Sequence, residues 1–249
     1  MKLSSLNKSL QVLDLMSKYP KGLSLSDLTA ELDFPKSTIH HILSTFLPYE
    51  YVAQDPETKK YSLGFRFLSI AKVILDNIDV RKIANPHLRR LHEECGEAVH
   101  LAILRNGKVV YIDKFDRLGG LTLATYIGFS TDPHAAAGGK VLLSELPPQR
   151  IKQIYRDKPL KVYGKKTIAD FDRLMNELRK IESQGYAIDD EEYYEGVRCV
   201  AAPVRAGGQI VAAISITGST FTLTMDRIHH QLKGLVMRTA DGISSELRW

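Results

Sequence analysis

Cysteine is scarce in this chain: Cys95 and Cys199 are the only two in 249 residues, and they form no CxxC pair. Too few for a disulfide framework, they favour a reducing compartment over a secreted fold. Long apolar runs are lacking as well. No stretch approaches the ~18 to 20 apolar residues of a membrane span, and the opening MKLSSLNKSL breaks its apolar residues every third or fourth position, which argues against an export signal. The expectation is a soluble, cytoplasmic chain with no membrane partner. Metal-ligand spacing is missing too: His229-His230 has no histidine at i+4, His134 stands apart, and HEEC at 92 to 95 is no better. With no paired nucleophile and base either, no catalytic residue, cofactor or metal is expected. What remains is ordinary globular material, 44% hydrophobic and 25% charged, with a net charge of +5 and a pI near 9.0. A basic balance of that size permits nucleic acid as a partner without requiring it.

Helical periodicity opens the chain. Leu6, Leu10, Leu13 and Met16 predict a first helix that stops before Pro20 and Gly22, and Ser24 with Asp27 three residues on predicts a capped second helix with Leu25, Leu28 and Leu32 on one side. Asp33-Phe34 then turns the chain, and Pro35 suits the first position of a third helix. In PKSTIHHILSTF, Ile39, Ile42, Leu43 and Phe46 fall at i, i+3, i+4 and i+7. The opposite side holds Lys36, Ser37, Thr38, His40, His41 and Ser44, with no carboxylate among them. Such short hydrogen-bonding side chains suit base edges, and they equally suit a plain solvated face. The tight turn between the second and third helices makes a helix-turn-helix. YVAQDPETKKYSL adds two strands, 51 to 54 and 60 to 63, around a turn at Asp55-Pro56, so that Lys59 and Lys60 sit at the tip of a wing. Residues 1 to 72 hold nine Lys or Arg against seven Asp or Glu, so phosphate contacts must be focused at Lys8, Lys36, Lys59 and Lys60, and a dimer is needed to gather enough of them.

From Gly64, GFRFLSIAKVILDNI predicts a connecting helix with Phe65, Leu68, Ala71, Leu75 and Ile78 along one side, an apolar stripe suited to a subunit interface. A helix over 80 to 95 follows, with Pro86 near its start. The period then becomes two. Asn106-Gly107 turns a hairpin between Val99 to Leu104 and Val109 to Ile112, a strand near 121 to 125 follows, and Gly207-Gly208 turns a second hairpin. A helix through Ile168, Phe171, Leu174, Leu178 and Ile181 stops at Gly185, and Met225, Ile228, Leu232, Leu235, Val236, Ile243 and Leu247 mark a C-terminal helical run. The fold class is α+β, an antiparallel sheet with flanking helices behind a winged helix-turn-helix. The expected divisions are 1–63, a linker or dimerisation helix at 64–79, and 80–249.

Two segments of the second domain hold candidate chemistry. In DPHAAAGGKVLLSEL the N–H groups of Ala137 and Gly138 can cradle a carboxylate; small residues packed under a helix would look the same. The stretch is no phosphate loop, because it lacks the first glycine and the Ser or Thr after Lys140. The acids Asp189 to Glu192 are expected in a solvated loop, since adjacent strand residues point to opposite faces. Cys199 shows no thiolate-stabilising partner. Ser215 and Thr217, two apart, face one side of a strand.

SSLNKSLQVLDLM, PKSTIHHIL, YVAQDPETKKYSLGFRFLSIA and these later segments together resemble, over the whole chain, the IclR (isocitrate-lyase-regulator) family of bacterial transcription factors. That resemblance implies a winged helix-turn-helix joined by a helix to a GAF-like effector-binding domain, and two or more protomers on a pseudo-palindromic operator. It also implies that Ala137, Gly138, Asp189, Cys199, Ser215 and Thr217 contact a small organic or sugar acid, and that Ser5 and Lys8 join the wing lysines on phosphate. His41 and Lys8 depart from the family, which often has Arg at both positions; a lysine supplies charge without the bidentate fork. The resulting expectation is a homodimeric or homotetrameric repressor of a catabolic operon. The rival is a small-molecule enzyme using Cys199 or Asp189, with the N-terminal module serving only for dimerisation.

Overall fold

The computed structural model describes residues 5–117, 125–156 and 159–247, and the chain divides between residues 77 and 78 into two compact units. In the first, α1 (Ser5–Met16), α2 (Leu25–Glu31) and α3 (Lys36–Phe46) precede a hairpin of β1 (Val52–Gln54) and β2 (Tyr61–Leu63), and α4 (Arg66–Asp76) follows. α2 begins with the expected capping box: the Asp27 N–H donates to Ser24 Oγ at 3.1 Å and the Ser24 N–H to Asp27 Oδ2 at 2.9 Å. Ile39, Ile42 and Leu43 of α3 close on Val12, Leu15, Met16 and Leu28. Each such side chain contributes about 1.5–3 kcal/mol through burial.

Three expectations need correction here. Leu6 and Leu10 are 71% and 52% exposed; α1 buries Val12 and Leu15 beside the expected Met16, because only its C-terminal half meets the core. Pro35 is the N-cap of α3 rather than its first residue, and its carbonyl accepts from the Thr38 and Ile39 N–H groups. The connecting helix ends at Asp76, and its apolar surface is broader than one stripe, with Val73 and Ile74 exposed alongside Phe65 and Leu68.

The second unit is a six-stranded antiparallel sheet in the order β5-β4-β3-β8-β7-β6. Its strands are β3 (Ala98–Arg105), β4 (Lys108–Phe115), β5 (Ser130–Thr131), β6 (Ala187–Asp190), β7 (Val197–Ala206) and β8 (Gln209–Ser219). Both predicted hairpin turns form, with positive φ at Asn106 and Gly107 and at Gly207 and Gly208. The strand expected near 121 to 125 falls, apart from Thr125, outside the described residues.

Period two sorts the strand residues between two helical layers. Val99, Leu101, Val200, Ala202, Ile214 and Ile216 pack on α5 (Asp79–Cys95) and on the C-terminal helical run. That run joins α9 (Met225–Arg227), a π-helical turn (Ile228–Leu232) and α10 (Lys233–Glu246). Ala102, Ala201 and Ala213 face α6 (Ala137–Ser144) and α8 (Phe171–Gln184) on the other side. A last helix, α7 (Pro148–Tyr155), carries Ile151 into that same layer. Pro86 lies inside α5 rather than near its start; the helix continues through it because Ala84, Leu88, Leu91 and Cys95 anchor it to the sheet. Among the described residues no helix is long and apolar enough to cross a membrane.

Candidate functional site

The helix-turn-helix displays its polar residues rather than burying them. Ser37, His40, His41 and Ser44 recur at i, i+3, i+4 and i+7 on α3 and are all exposed, as is Lys36, while Thr38 is half-buried. Ser44 Oγ donates to the His40 carbonyl at 2.7 Å, so its proton is engaged within the helix and its lone pairs face outward. On α1, Ser5 is exposed and Lys8 extends over the Phe34 ring at 5.3 Å, which places its ammonium beside the turn that enters α3.

The wing is built by its own side chains. Asp55 Oδ1 accepts from the Glu57 N–H, the Thr58 N–H and Thr58 Oγ1 at 3.0, 2.6 and 2.8 Å, an Asx-turn that holds the Asp55 carboxyl below the usual range. Lys59 consequently sits at φ +56°. Lys59 and Lys60 are both exposed at the tip. At the base, Tyr61 bridges to Leu23, and a Cβ on Gly22, at φ +75°, would meet the Tyr61 carbonyl at 2.9 Å. Hence the glycine.

The six residues singled out in the second domain come from four elements and line one small cavity that is partly open to solvent. Sheet register explains the convergence: Asp189 on β6 is opposite Cys199 on β7, which is opposite Thr217 on β8, while Ser215 on β8 is opposite His100 on β3. All lie on the sheet face that packs α6, where neighbouring alanines leave space. Ala137 and Gly138 begin α6, so their N–H groups have no acceptor within the helix. The double glycine has a packing cause as well: a Cβ on Gly139 would come within 2.3 Å of the Pro133 carbonyl.

Periodicity could not reach the rest of the lining. His100, Tyr111, Phe129 and Thr131 wall one side, with Tyr193 and Tyr194 beyond Asp189. His100 Nε2 lies 2.9 Å from Thr125 Oγ1 and Nδ1 lies 3.4 Å from Thr217 Oγ1; burial pushes its pKa down to about 3, so the ring is neutral. Burial likewise raises the Tyr111 phenol and holds the Cys199 thiol well above its ordinary value. The cysteine is therefore not an activated nucleophile.

The acidic run contradicts the solvated-loop expectation. Asp190 and Glu191 do lie outward, paired with Lys166 and Arg198. Asp189 and Glu192, however, are 3% and 7% exposed. Glu192 Oε1 accepts from Lys140 Nζ at 2.5 Å, and the same fully buried ammonium donates to the Ile188 carbonyl at 2.7 Å. Asp189 Oδ1 accepts from the Glu192 N–H at 2.8 Å. Desolvation, with Glu192 beside it, pushes the Asp189 carboxyl up to about 7. Lys140, which follows the double glycine of α6, is thus the counter-ion of Glu192. Four consecutive acids concealed it, because alternation pairs Asp189 with Glu191, whereas the strand ends at Asp190 and Glu191, at φ +62°, turns Glu192 inward.

A helix-turn-helix with its hairpin, carried on one chain with an α+β unit that holds a partly open cavity lined by apolar and hydrogen-bonding side chains, defines a sensor-type transcription regulator. The comparisons sharpen the class. A family model described as "Bacterial transcriptional regulator IclR C-terminal" matches residues 72–245, and one described as "IclR helix-turn-helix domain" matches residues 5–56; the chain belongs to the IclR family. It is 34% identical over 227 residues to the HTH-type transcriptional regulator XynR of Escherichia coli K12, covering 90% of this chain and 88% of that protein. It is 30% identical over 244 residues to the HTH-type transcriptional repressor AllR of the same organism, covering 98% and 90%. The crystal structure of Thermotoga maritima IclR superposes with a TM-score of 0.82 at 28% identity over 98% of each chain. These relatives are regulators, and the enzyme reading is set aside.

Proposed function

We propose that this regulator is a repressor that reads a pseudo-palindromic operator with α3 and is controlled by a small carboxylic acid bound in the cavity of its second unit. Ser37, His40, His41 and Ser44, with Lys36 and Thr38 at the helix start, meet base edges, while Ser5, Lys8, Lys59 and Lys60 hold phosphates. Two symmetry-related protomers, as a dimer or within a tetramer, supply the second half-site and the phosphate contacts that one modestly basic unit lacks. The exposed apolar surface of α4 supports that association. The protein works in the cytoplasm, on chromosomal DNA, and its proposed chemistry draws on no metal or cofactor.

The effector reading rests on one observation. The free N–H groups at the start of α6 share a cavity with Cys199, Ser215 and Thr217, short groups that can hydrogen-bond an acid, beside Asp189. An organic or sugar acid seated there acts on DNA binding only through unequal affinity for two arrangements of the protomers.

Fluorescence anisotropy on DNA from upstream of the protein's own gene, with and without keto, sugar and aromatic acids, tests both halves. The expected result is nanomolar binding that at least one acid releases. Equal affinity for this DNA and a scrambled duplex would remove the operator reading; operator binding indifferent to every acid, each also leaving the melting temperature unchanged, would remove the effector reading.

A further inference from the structure

The cavity has an unusual charge inventory for a site that receives an acid. Among its described lining residues there is no Lys or Arg, and Asp189 is the one carboxylic acid. Residues 118–124 contain no ionisable side chain that could add a cation. His100 is neutral, and burial raises Tyr111, Tyr194 and Cys199 above their ordinary values, so these three stay protonated near neutral pH.

The charges behind the walls do not compensate. On α6, Lys140 is committed to Glu192 and the Ile188 carbonyl, with Glu177 of α8 at 3.9 Å. On β4, Lys114 is paired with Asp116 at 2.6 Å and donates to the Thr125 carbonyl. The second oxygen of Glu192 is buried without a partner. Around Asp189, then, carboxylates outnumber the cations facing them before any ligand enters. A further observation points to a polar occupant: Thr131, 4% exposed and on the cavity wall, has a hydroxyl with no hydrogen-bond partner.

A carboxylate placed on the Ala137 and Gly138 N–H groups therefore shares a desolvated space with Asp189. Two like charges in such a site are relieved by a proton on one of them. We infer that the cavity takes up a monocarboxylate together with one proton from solvent, and that Asp189 carries this proton, its O–H donating a hydrogen bond to the bound acid. The inference rests on the effector reading above. It makes Asp189 a specificity determinant: a dicarboxylate or phosphorylated acid would bring a charge that no cation of the lining meets, whereas a monoanion arrives electrically matched.

Because burial already brings the Asp189 carboxyl to about 7, the free site is largely ionised at pH 8 and largely protonated at pH 5.5. Titration calorimetry of the full chain with acetate, pyruvate, gluconate and benzoate, in phosphate and in Tris at pH 8, reads proton uptake from the difference in heat between the buffers. The expected result for an acid that binds is uptake of about one proton at pH 8, little at pH 5.5, and affinity falling about tenfold per pH unit above neutrality. Asp189→Asn, whose amide keeps a donor, should bind with no uptake and with a flat pH profile. Binding by the unsubstituted protein without uptake at pH 8 overturns the inference while leaving the effector reading intact. Equal uptake by a folded Asp189→Asn protein overturns the assignment to Asp189. If none of the four acids binds at either pH, the carboxylate reading of the cavity fails and the inference falls with it.

Discussion

The two functional regions of this molecule use their polar residues in opposite ways. On α3 and the wing they are exposed and nearly free of tertiary commitments: of the residues proposed to meet DNA, Ser44 is tied only to its own helix and Lys8 rests on Phe34. In the cavity unit the decisive groups are buried and cross-linked, with Lys140, Glu192 and Asp189 joining α6 to the end of β6. The difference teaches where perturbation should be felt. A displayed residue can be removed at the expense of its ligand contact alone, while a buried one takes the fold with it.

The sharpest way to break that contrast is Lys140→Met. It leaves the Glu192 carboxylate buried without its cation, a loss on the order of 3–5 kcal/mol. Urea denaturation monitored on the second unit should register most of it, and adding Glu192→Gln should recover a large part. A change below about 1 kcal/mol would show the pair to be dispensable and the contrast overstated. Somewhat smaller is the pH effect of Asp189. Its carboxyl is raised from an ordinary value of 3.8 to about 7 by burial, so the folded chain binds a proton that the unfolded chain has released. The associated stability is complete below about pH 4 and is lost as pH rises through 7, with a slope of about 1.4 kcal/mol per unit between. Thermal melts from pH 5 to 8 should therefore show falling stability at this site, and Asp189→Asn should flatten the curve.

The same contrast governs what the sequence discloses. The surface proposed to face DNA is built locally, from one helix, one capping box from Ser24 to Asp27 and one turn from Asp55 to Lys60, each defined by residues within a few positions of one another, and these elements were legible for that reason. Where local reading failed, as with Leu6 and Leu10, the cause was tertiary, since spacing cannot tell which half of a helix meets the core. The cavity is non-local. Asp189, Cys199, Thr217 and His100 meet only through sheet register, and the Lys140–Glu192 pair spans 52 positions. Alternation placed Ser215 and Thr217 on one face, but the aromatic wall of Tyr111, Phe129 and Tyr193 carries no periodic signal. Family resemblance pointed to six of the lining residues; the burial that sets their charge states was visible only in the fold.

Two smaller effects probe the displayed side. His40→Ala should leave stability within about 0.5 kcal/mol, since the ring is exposed, and should weaken operator binding by about 1–3 kcal/mol while barely changing affinity for random DNA. Anisotropy with matched and scrambled duplexes separates the two; equal losses on both would move His40 from base reading to the backbone.

Lys59→Ala should give the mildest change and the most diagnostic one. Lys59 sits at the wing tip in a left-handed conformation set by Asp55, with its ammonium in solvent. Removing it deletes one cation and, at positive φ, also exchanges one non-glycine residue for another, so the turn is held by the same Asx hydrogen bonds. Matched and scrambled duplexes should lose affinity in equal proportion, and the slope of log K against log salt should fall by about 0.9 for each protomer engaged. An unchanged slope would place the wing away from the backbone and leave α3 as the sole point of contact; a loss confined to the matched duplex would make Lys59 a reader of sequence, erasing the distinction between tip and helix.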